Sequence, residues 1–342
     1  MTREDPVLGQ KTAIIFVADR NFLVPSILAM LQISRQKDTM SVADLFLFTT
    51  DLDDTDFRTI TDLVTTHGIT TIRLDLDKVL SEQETLSFRK THISISALGR
   101  FFTGSCIDPK YENILYIDGD VQVIGSIFDL ANADIPDDKI LGVIDKQFLK
   151  AKERDKSGEK TREYLKKLGI LHEADYFNSG VLAAKRETWI NLCKEAFDYF
   201  VKHSEDCMFH DQSALNAVSV GRRLPMSPKY NFTTMFAENN LLNIVKPSII
   251  HFTGAEKPWF SKARPWQGRF MASYAELLKQ FPQLEAFYSL GEYFHSSGQS
   301  GLNKIDRHAN RMWFLTRILT PWRVILRRRK LLNYLKTTRF FI

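Results

Sequence analysis

The sequence is poor in cysteine and lacks short motifs that mark several common enzyme classes. Cys106, Cys193 and Cys207 form no CxxC pair and there is no HExxH, so neither a disulfide framework nor a zinc site is expected. No GxGxxG is present, which argues against a nicotinamide Rossmann site. The stretch from Gly99 to Ser105 has the glycine spacing of a P-loop, but its final serine stands where the phosphate-binding lysine belongs.

Long hydrophobic runs are absent as well. The first apolar run, Ala13–Ala18, has six residues, which is too short for the apolar core of a signal peptide. No window approaches the roughly 18 apolar residues of a membrane-spanning helix. We therefore expect a protein of the cytosol whose thiols stay reduced.

Charge is distributed unevenly along the 342 residues. The chain has 46 Lys and Arg against 41 Asp and Glu, a net charge of +5. Residues 304–342 contain 11 bases and one acid, a net of +10, which leaves 35 bases and 40 acids, a net of −5, before them. An acidic body with a strongly basic end predicts an anionic partner, either nucleic acid or a membrane surface.

Short apolar runs alternate with amphipathic stretches along the body, a pattern typical of α/β proteins. We predict helices at Phe22–Arg35, Asp56–His67, Ser94–Phe102, Lys185–Lys202 and Asp211–Ser219. We predict strands at Thr12–Ala18, Ala43–Thr49, Ile69–Leu74, Asn113–Ile117, Ile140–Asp145, Tyr176–Ala184 and Ser248–Phe252. Val121–Ile124 is expected to extend the fourth strand past a kink at Gly119, and Lys146–Asp175 to be a surface excursion with a short helix near Thr161–Leu168.

The strongest local signal is an apolar strand that runs into two aspartates separated by one glycine, Asp118, Gly119 and Asp120. Residues two apart on an extended chain face the same side, so both carboxylates can point at one ligand. Two carboxylates at a strand end suit Mg²⁺ or Mn²⁺ with positions left for phosphates. A simple turn after the strand would use the same residue types.

His251 ends another predicted strand and is followed on a loop by Gly254 and Lys257. A neutral imidazole there can bind the same metal. A glycine that admits backbone N–H groups, together with an ammonium, suits a diphosphate. A structural histidine and a solvated lysine are the alternatives.

Amide and carboxylate side chains border two further elements. Asn178 lies at the start of a buried strand, as in a site at the strand ends of an open sheet, or in a turn. Asp211 and Gln212 begin a predicted helix, where they could bind sugar hydroxyls or cap the helix.

Taken together, five blocks in order make the chain resemble a family 8 glycosyltransferase, a retaining, metal-dependent family that uses nucleotide sugars. The blocks are Phe16–Phe22, Ser94–Arg100, Leu115–Asp120, Tyr176–Gly180 with His210–Gln212, and His251–Trp259. The resemblance implies a GT-A fold, a Rossmann-like nucleotide-diphospho-sugar transferase architecture with a mixed sheet flanked by helices. The likeness is to bacterial galactosyl- and glucosyltransferases that extend lipopolysaccharide cores, whose basic, aromatic C-terminus is similar.

The resemblance also implies a role for each matching residue. Asp118, Asp120 and His251 would hold Mn²⁺ or Mg²⁺. Uridine and ribose would contact Asp19 and Asn21. Gly254 and Lys257 would bind the diphosphate, and Arg100 would reach the donor sugar and phosphate region. The donor sugar would be lined by Asn178, Asp211 and Gln212.

Two positions depart from the family pattern. Ser213 stands where relatives often have a second acid, and Arg20 replaces a residue that is often small or acidic. The pattern places Gln212 beside the anomeric carbon, and an amide is a poor nucleophile, whereas a retaining glycosidase uses a carboxylate. Front-side attack by the acceptor, helped by the leaving phosphate, is therefore the preferred hypothesis, and Asp211 as nucleophile is the competing one.

The basic end interleaves Lys and Arg with large apolar residues, and Pro321 divides it into two helical pieces. This pattern is typical of a helix at a membrane interface, where each base contributes about 1 kcal/mol near an anionic leaflet. A helix packed on the body is the alternative, and nucleic acid is the rival partner, which we do not expect. We predict a glycosyltransferase domain over residues 1–270 and a helical, basic membrane-association segment over 271–342.

The sequence thus predicts an enzyme, peripheral on the inner face of the membrane, that moves galactose or glucose from a UDP-sugar to a lipopolysaccharide- or lipooligosaccharide-type acceptor. One alternative is the same transfer to a protein or a soluble glycan. Another is a catalytically silent protein that binds sugar nucleotides or a membrane surface.

Overall fold

The computed structural model describes residues 11–76, 98–254, 256–288 and 298–342. Its strands are β1 (Thr12–Ala18), β2 (Ala43–Thr49), β3 (Ile69–Arg73), β4 (Asn113–Ile117), β5 (Val121–Val123), β6 (Ile140–Ile144), β7 (Phe177–Lys185), β8 (Arg223–Pro225), β9 (Phe232–Thr233) and β10 (Ile249–His251). Seven of these form a large sheet in the order β3-β2-β1-β4-β7-β6-β8, and a small sheet has the order β5-β10-β9.

Helices cover both faces of the large sheet and form the C-terminal end. They are α1 (Leu23–Ser34), α2 (Lys37–Val42), α3 (Asp54–Thr65), α4 (Phe128–Ala131), α5 (Gln147–Ala151), α6 (Lys156–Lys167), α7 (Arg186–Lys202), α8 (His210–Val218), α9 (Thr234–Glu238), α10 (Leu242–Val245), α11 (Met271–Gln280), α12 (Gly298–Leu319) and α13 (Pro321–Thr337). None of these described helices is both long and apolar enough to cross a bilayer.

The large sheet is mixed, as the sequence predicts. Neighbours β1, β2, β3 and β4 run parallel, whereas β7 is antiparallel to β4 and to β6. Alternate residues of β1 belong to different cores, since Ile14 and Phe16 pack in one and Ala13 and Ile15 in the other. A strand that is buried on both faces has a nearly continuous apolar sequence. This is why the bounds of β1, β2 and β4 are predicted correctly.

The expected extension of the fourth strand through Val121–Ile124 is wrong. β5 leaves the large sheet and pairs antiparallel with β10 in the small one. A Cβ at Gly119 would lie 2.3 Å from Ser26 Oγ, so glycine lets the crossing pack tightly against α1. The two aspartates therefore join two sheets instead of continuing one.

Two helical predictions also need correction. The polar excursion after residue 145 contains two helices, α5 and α6, and the second begins at Lys156 because the Asp155 side chain accepts a hydrogen bond from Gly158 N–H. Gly99–Phe102 forms a 3-10 helix instead of the end of an α-helix. Residues 94–97 of that predicted helix lie outside the described residues.

The last helix packs on the body, in agreement with the alternative hypothesis for the basic end. Leu331 and Tyr334 are buried in the main core. Beyond α13, the Phe341 N–H donates to Pro225 O at 2.8 Å, and the Ser227 N–H donates to Ile342 O at 2.9 Å. The division at residue 270 stays a prediction.

Candidate active site

Asp118 and Asp120 lie at the crossing between the two sheets. The Asp118 N–H donates to Gly180 O at 2.7 Å in the large sheet, whereas Asp120 O accepts from the Phe252 N–H at 3.0 Å beside the small one. His251 ends β10, opposite Val121 of β5. Asp118, Asp120 and His251 can each offer one ligand atom, and these three atoms lie within 4.8 Å of one another.

The three side chains fit a divalent cation. His251 Nε2 is 3.2 Å from Asp120 Oδ1 and 3.9 Å from Asp118 Oδ2. Adjacent ligands of an octahedral Mg²⁺ lie about 3 Å apart when each bond is about 2.1 Å. Three protein ligands leave coordination positions for phosphate oxygens. Burial raises the pKa of Asp120, but Lys257 and His251 outweigh burial and hold it well below its usual range, so the carboxylate is ionised.

Gly180 makes room for this cluster. A Cβ there would lie 2.1 Å from His251 Cε1 and 2.8 Å from Asp118 Oδ2. Any larger residue must push the imidazole or the carboxylate away. The sequence places Gly180 in a motif without assigning it a role, because a close approach across strands leaves no local signal.

Asn231, which the sequence analysis missed, sets the orientation of the His251 ring. The Gly180 N–H lies 3.0 Å from one side-chain amide atom of Asn178. Because a backbone N–H can only donate, that atom must be the accepting oxygen, Oδ1. Asn231 Nδ2 donates to that oxygen at 2.9 Å, which leaves Asn231 Oδ1 to accept from His251 Nδ1 at 3.0 Å. His251 Nε2 is therefore the ring nitrogen that faces the carboxylates, as metal binding requires.

Arg100 lies behind the cluster and is buried. Its guanidinium donates to Asp118 Oδ1 at 2.8 Å and to Ser179 O at 3.0 Å, and forms an ion pair with Asp211 at 3.1 Å. The same group lies over the Tyr116 ring, 4.4 Å from its centroid. Burial lowers the pKa of Arg100, but Asp211, Tyr116 and Asp118 raise it above its usual value. Arg100 thus orients two carboxylates, and its predicted contact with the donor stays a prediction.

A cavity of about 590 Å³ opens beside the cluster, with Asp118, Asn178, Asp211, Gln212 and Gly254 among its lining residues. The Gln212 amide is fixed in it. Gln212 Oε1 accepts from the Ser179 N–H at 3.1 Å and from Asn178 Nδ2 at 3.3 Å, and Nε2 donates to the Tyr176 hydroxyl at 3.1 Å.

Asp145 is a second cavity residue that the sequence analysis assigned no role. Its carboxylate accepts from Asn178 Nδ2 at 3.4 Å. Burial raises the pKa of Asp145, and the opposing effect of Lys146 is smaller. A lone aspartate at a strand end gives no signal that the chain will bury it in a cleft.

Lys257 and Gly254 lie on the loop after His251, and their assignment to the diphosphate stays a prediction. Lys257 Nζ is 2.6 Å from Asp120 Oδ2 and donates to Phe252 O at 2.9 Å. Gly254 has a φ of 118°, a conformation that glycine adopts without strain. The loop after β10 therefore brings the Lys257 ammonium to the cluster.

Asp19 and Asn21 form the turn after β1. Asp19 Oδ1 accepts from the backbone N–H groups of Asn21 and Phe22, both at 3.0 Å. A Cβ at Gly119 would lie 3.3 Å from Phe22 O, so this turn lies against the crossing between the sheets. The assignment of both residues to the nucleotide stays a prediction.

The comparisons with known proteins agree with this architecture. A family model described as Glycosyl transferase family 8 matches residues 13–263. The chain belongs to glycosyl transferase family 8. General stress protein A of Bacillus subtilis is 27% identical over 191 residues, which is 51% of this chain and 62% of that protein. Lipopolysaccharide 1,2-glucosyltransferase of Escherichia coli is 24% identical over 178 residues, 48% of this chain and 50% of that enzyme.

The chain thus spans about half to three-fifths of the length of these curated relatives. Among solved structures, the galactosyltransferase LgtC in complex with donor and acceptor sugar analogs has a TM-score of 0.59 at 18% identity. The match covers 83% of this family 8 chain and 99% of LgtC. The GT-A fold that the sequence motifs imply is confirmed.

Proposed function

We propose that this family 8 chain is a retaining, metal-dependent hexosyltransferase that moves glucose or galactose from a UDP-sugar to a lipopolysaccharide- or lipooligosaccharide-type acceptor. The observation that carries the proposal is the convergence of Asp118, Asp120 and His251 beside a cavity lined by sugar-binding residue types. The relative named lipopolysaccharide 1,2-glucosyltransferase supports the acceptor class.

The residues around the cavity suggest how they would assist transfer. When bound, a divalent cation would stabilise the charge that develops on the leaving diphosphate. Lys257 is positioned to add a charge-assisted hydrogen bond to the same phosphates, and Gly254 lets backbone N–H groups approach them. Asp211 is ion-paired with Arg100, and the Gln212 oxygen already accepts hydrogen bonds. These contacts support front-side attack by the acceptor hydroxyl over a glycosyl-enzyme on either side chain.

Hydrolysis of UDP-glucose and UDP-galactose with Mn²⁺ tests the enzyme proposal. We expect turnover of one of them, with Asp120→Asn losing on the order of 100-fold or more because a charged ligand is removed. Asp62→Asn, an exposed aspartate on α3, is the matched control and should keep full activity. No turnover of either sugar nucleotide would favour a catalytically silent binding protein, and a trapped adduct on Asp211 or Gln212 would contradict front-side attack.

We further propose that the C-terminal helices hold the enzyme at the inner, anionic membrane surface. Five large apolar side chains there are more than half-exposed: Phe314, Ile318, Leu319, Trp322 and Ile325. Arg323 and Arg327 pair with Asp155 and Glu153 of the body, whereas Arg328 and Arg329 have no ion-pair partner among the described residues. An apolar surface flanked by free cations suits an interfacial helix pair.

Co-sedimentation of the full chain with phosphatidylglycerol vesicles tests this surface. We expect binding that weakens with salt and is absent on phosphatidylcholine vesicles, because the attraction is partly electrostatic. Binding to neither vesicle type, or equal binding to both, would contradict the proposal.

A further inference from the structure

A row of buried hydroxyl groups leads from helix α6 to Gln212 in the cavity of about 590 Å³. This hydroxyl row consists of Ser213, Tyr164 and Tyr176, whose exposed fractions are 0%, 5% and 0%. Ser213 Oγ lies 2.7 Å from the Tyr164 hydroxyl, which is 3.0 Å from that of Tyr176. Gln212 Nε2 lies 3.1 Å from the Tyr176 hydroxyl. The polar segment after β6 therefore reaches the candidate site through α6.

Backbone contacts fix which way the Gln212 amide is turned. Because a backbone N–H can only donate, the Ser179 N–H identifies the atom 3.1 Å away as the amide oxygen, Oε1. Asn178 Nδ2 donates to the same oxygen at 3.3 Å. The nitrogen, Nε2, therefore donates one hydrogen to Tyr176, and its second hydrogen has no acceptor among the described residues. Since Gln212 lines the cavity, this second N–H is available to a ligand.

The hydrogen bonds of the row can all run in one direction. Since Tyr176 accepts from Gln212, its own hydrogen is free to bond Tyr164, and the Tyr164 hydrogen is free in turn to bond Ser213. Ser213 Oγ also accepts from the Phe209 N–H at 2.8 Å. Burial raises the pKa of Tyr176 well above its usual value and that of Tyr164 to about 12, so both hydroxyls keep their protons.

The rings that carry these hydroxyls are held by packing. Tyr164 meets Tyr176 edge to face, with ring centroids 5.9 Å apart, and meets Phe209 in the same way at 5.7 Å. Both tyrosines belong to a small apolar cluster that includes Leu165 and Leu168 of α6. The hydroxyls can part only if the rings or α6 move, so the amide nitrogen beside them is held as well.

Ser213 is one of the two positions where the sequence departs from the family pattern, in which an acid is common. Its side chain is fully buried and does not line the cavity. The residue therefore acts on the site through Tyr164 and not by contact with a ligand. A neutral hydroxyl suits this place, because a buried carboxylate without a cationic partner would be costly.

We propose that Tyr176 is a positioning residue whose hydroxyl, held by the row, keeps an N–H of Gln212, and not its oxygen, turned towards the donor sugar. This inference rests on the proposed transferase function and adds to it a group that acts through another residue. The N–H can donate to an oxygen of the sugar. The amide oxygen is already bound by two donors, so it is poorly placed to attack the anomeric carbon, which agrees with front-side attack.

Binding of UDP, UDP-glucose and UDP-galactose to the full chain with Mn²⁺, measured by calorimetry, tests this role. We expect Tyr176→Phe, which keeps the ring, to bind the preferred UDP-hexose about three- to tenfold more weakly, because the donor to the sugar is no longer held. Binding of UDP should stay within twofold. The matched control is Tyr111→Phe, whose hydroxyl is also buried and donates to Asp44 at 2.6 Å, but which precedes β4 at the end away from Asp118. It should bind every ligand within twofold of the unmodified chain.

The side-chain ¹⁵N–¹H resonances of Gln212 test the orientation of the amide without any ligand. They can be assigned by their absence in Gln212→Glu. We expect them to move in Tyr176→Phe and in Tyr164→Phe, and to stay unchanged in Tyr111→Phe. If Tyr176→Phe does not fold, Ser213→Ala, at the other end of the row, replaces it and should move the resonances less.

Four results would overturn the proposal: unchanged UDP-hexose binding in Tyr176→Phe, an equal weakening of UDP and UDP-hexose in that variant, the same weakening in Tyr111→Phe, or Gln212 resonances that do not respond to Tyr164→Phe. An equal weakening would leave Tyr176 with a structural role alone. Failure of the unmodified chain to bind or hydrolyse either UDP-hexose counts against the proposed function, and the amide resonances then still decide whether the row orients Gln212.

Discussion

The cluster of Asp118, Asp120 and His251 differs from the C-terminal helices in how completely its polar groups are paired. Around Asp118 and His251, each carboxylate, amide and ring nitrogen contacts a partner that is itself held by another. On α12 and α13, by contrast, large apolar side chains are exposed and several arginines have no carboxylate beside them in the described chain. The first region holds its geometry through its own contacts, whereas the second exposes apolar and cationic side chains.

Gly180→Ala should give the largest effect, because the cluster has no space to spare. The new methyl group would lie 2.1 Å from His251 Cε1, and alanine has no side-chain rotamer that could relieve the clash. We expect Mn²⁺ binding, followed by electron paramagnetic resonance, to fall by on the order of 100-fold or more, with hydrolysis of the donor falling alongside.

Ser179→Ala is the matched control, since it changes the preceding residue and adds no atom. It removes only a hydroxyl whose contact with Gln212 is 3.5 Å long. Normal Mn²⁺ affinity in Gly180→Ala would mean that the cluster is looser than its packing indicates.

Asn231→Ala should come second. Without its oxygen, His251 can present either nitrogen to the carboxylates, and loss of such an orienting partner typically lowers metal affinity by about 10- to 100-fold. Asn216→Ala is the control, because this equally buried amide bonds the Phe177 backbone and does not contact His251.

Both asparagine variants should lose about 1–3 kcal/mol of unfolding free energy. Only Asn231→Ala should also lose Mn²⁺ affinity and shift the ¹⁵N resonances of His251 away from a single tautomer. An equal loss of affinity in the two variants would reduce Asn231 to a structural role.

The sequence predicts the cluster better than it predicts the groups that support it. Asp118, Asp120 and His251 lie in short motifs at the ends of apolar runs, and the resemblance of these motifs to a known family is what groups them on one metal. Asn231 meets Asn178 across 53 residues, and Gly180 meets His251 across two sheets. Both contacts depend on the departure of β5 into the small sheet, which no local periodicity reveals.

Leu331→Ala tests the packed side of the C-terminal helices. Leu331 is 0% exposed and belongs to the main core. Truncation of a buried leucine costs about 2–5 kcal/mol of unfolding free energy, depending on how far the cavity collapses. Urea unfolding of the full chain measures this cost, and a loss below about 0.5 kcal/mol would mean that α13 is not docked on the body in solution.

Trp322→Ala, on the other side of the same helix, should have the smallest effect on stability. Its side chain is 57% exposed, so its loss should change the unfolding free energy by no more than about 0.5 kcal/mol. It should nevertheless weaken binding to phosphatidylglycerol vesicles, because a half-exposed tryptophan beside free arginines is the group that enters the lipid interface first. The pair of variants thus separates two faces of one helix: Leu331→Ala should unfold the protein at lower urea, and Trp322→Ala should release it from vesicles. A stability loss in Trp322→Ala as large as that in Leu331→Ala would show that the exposed face is covered by the protein itself, and the membrane proposal would lose its main support.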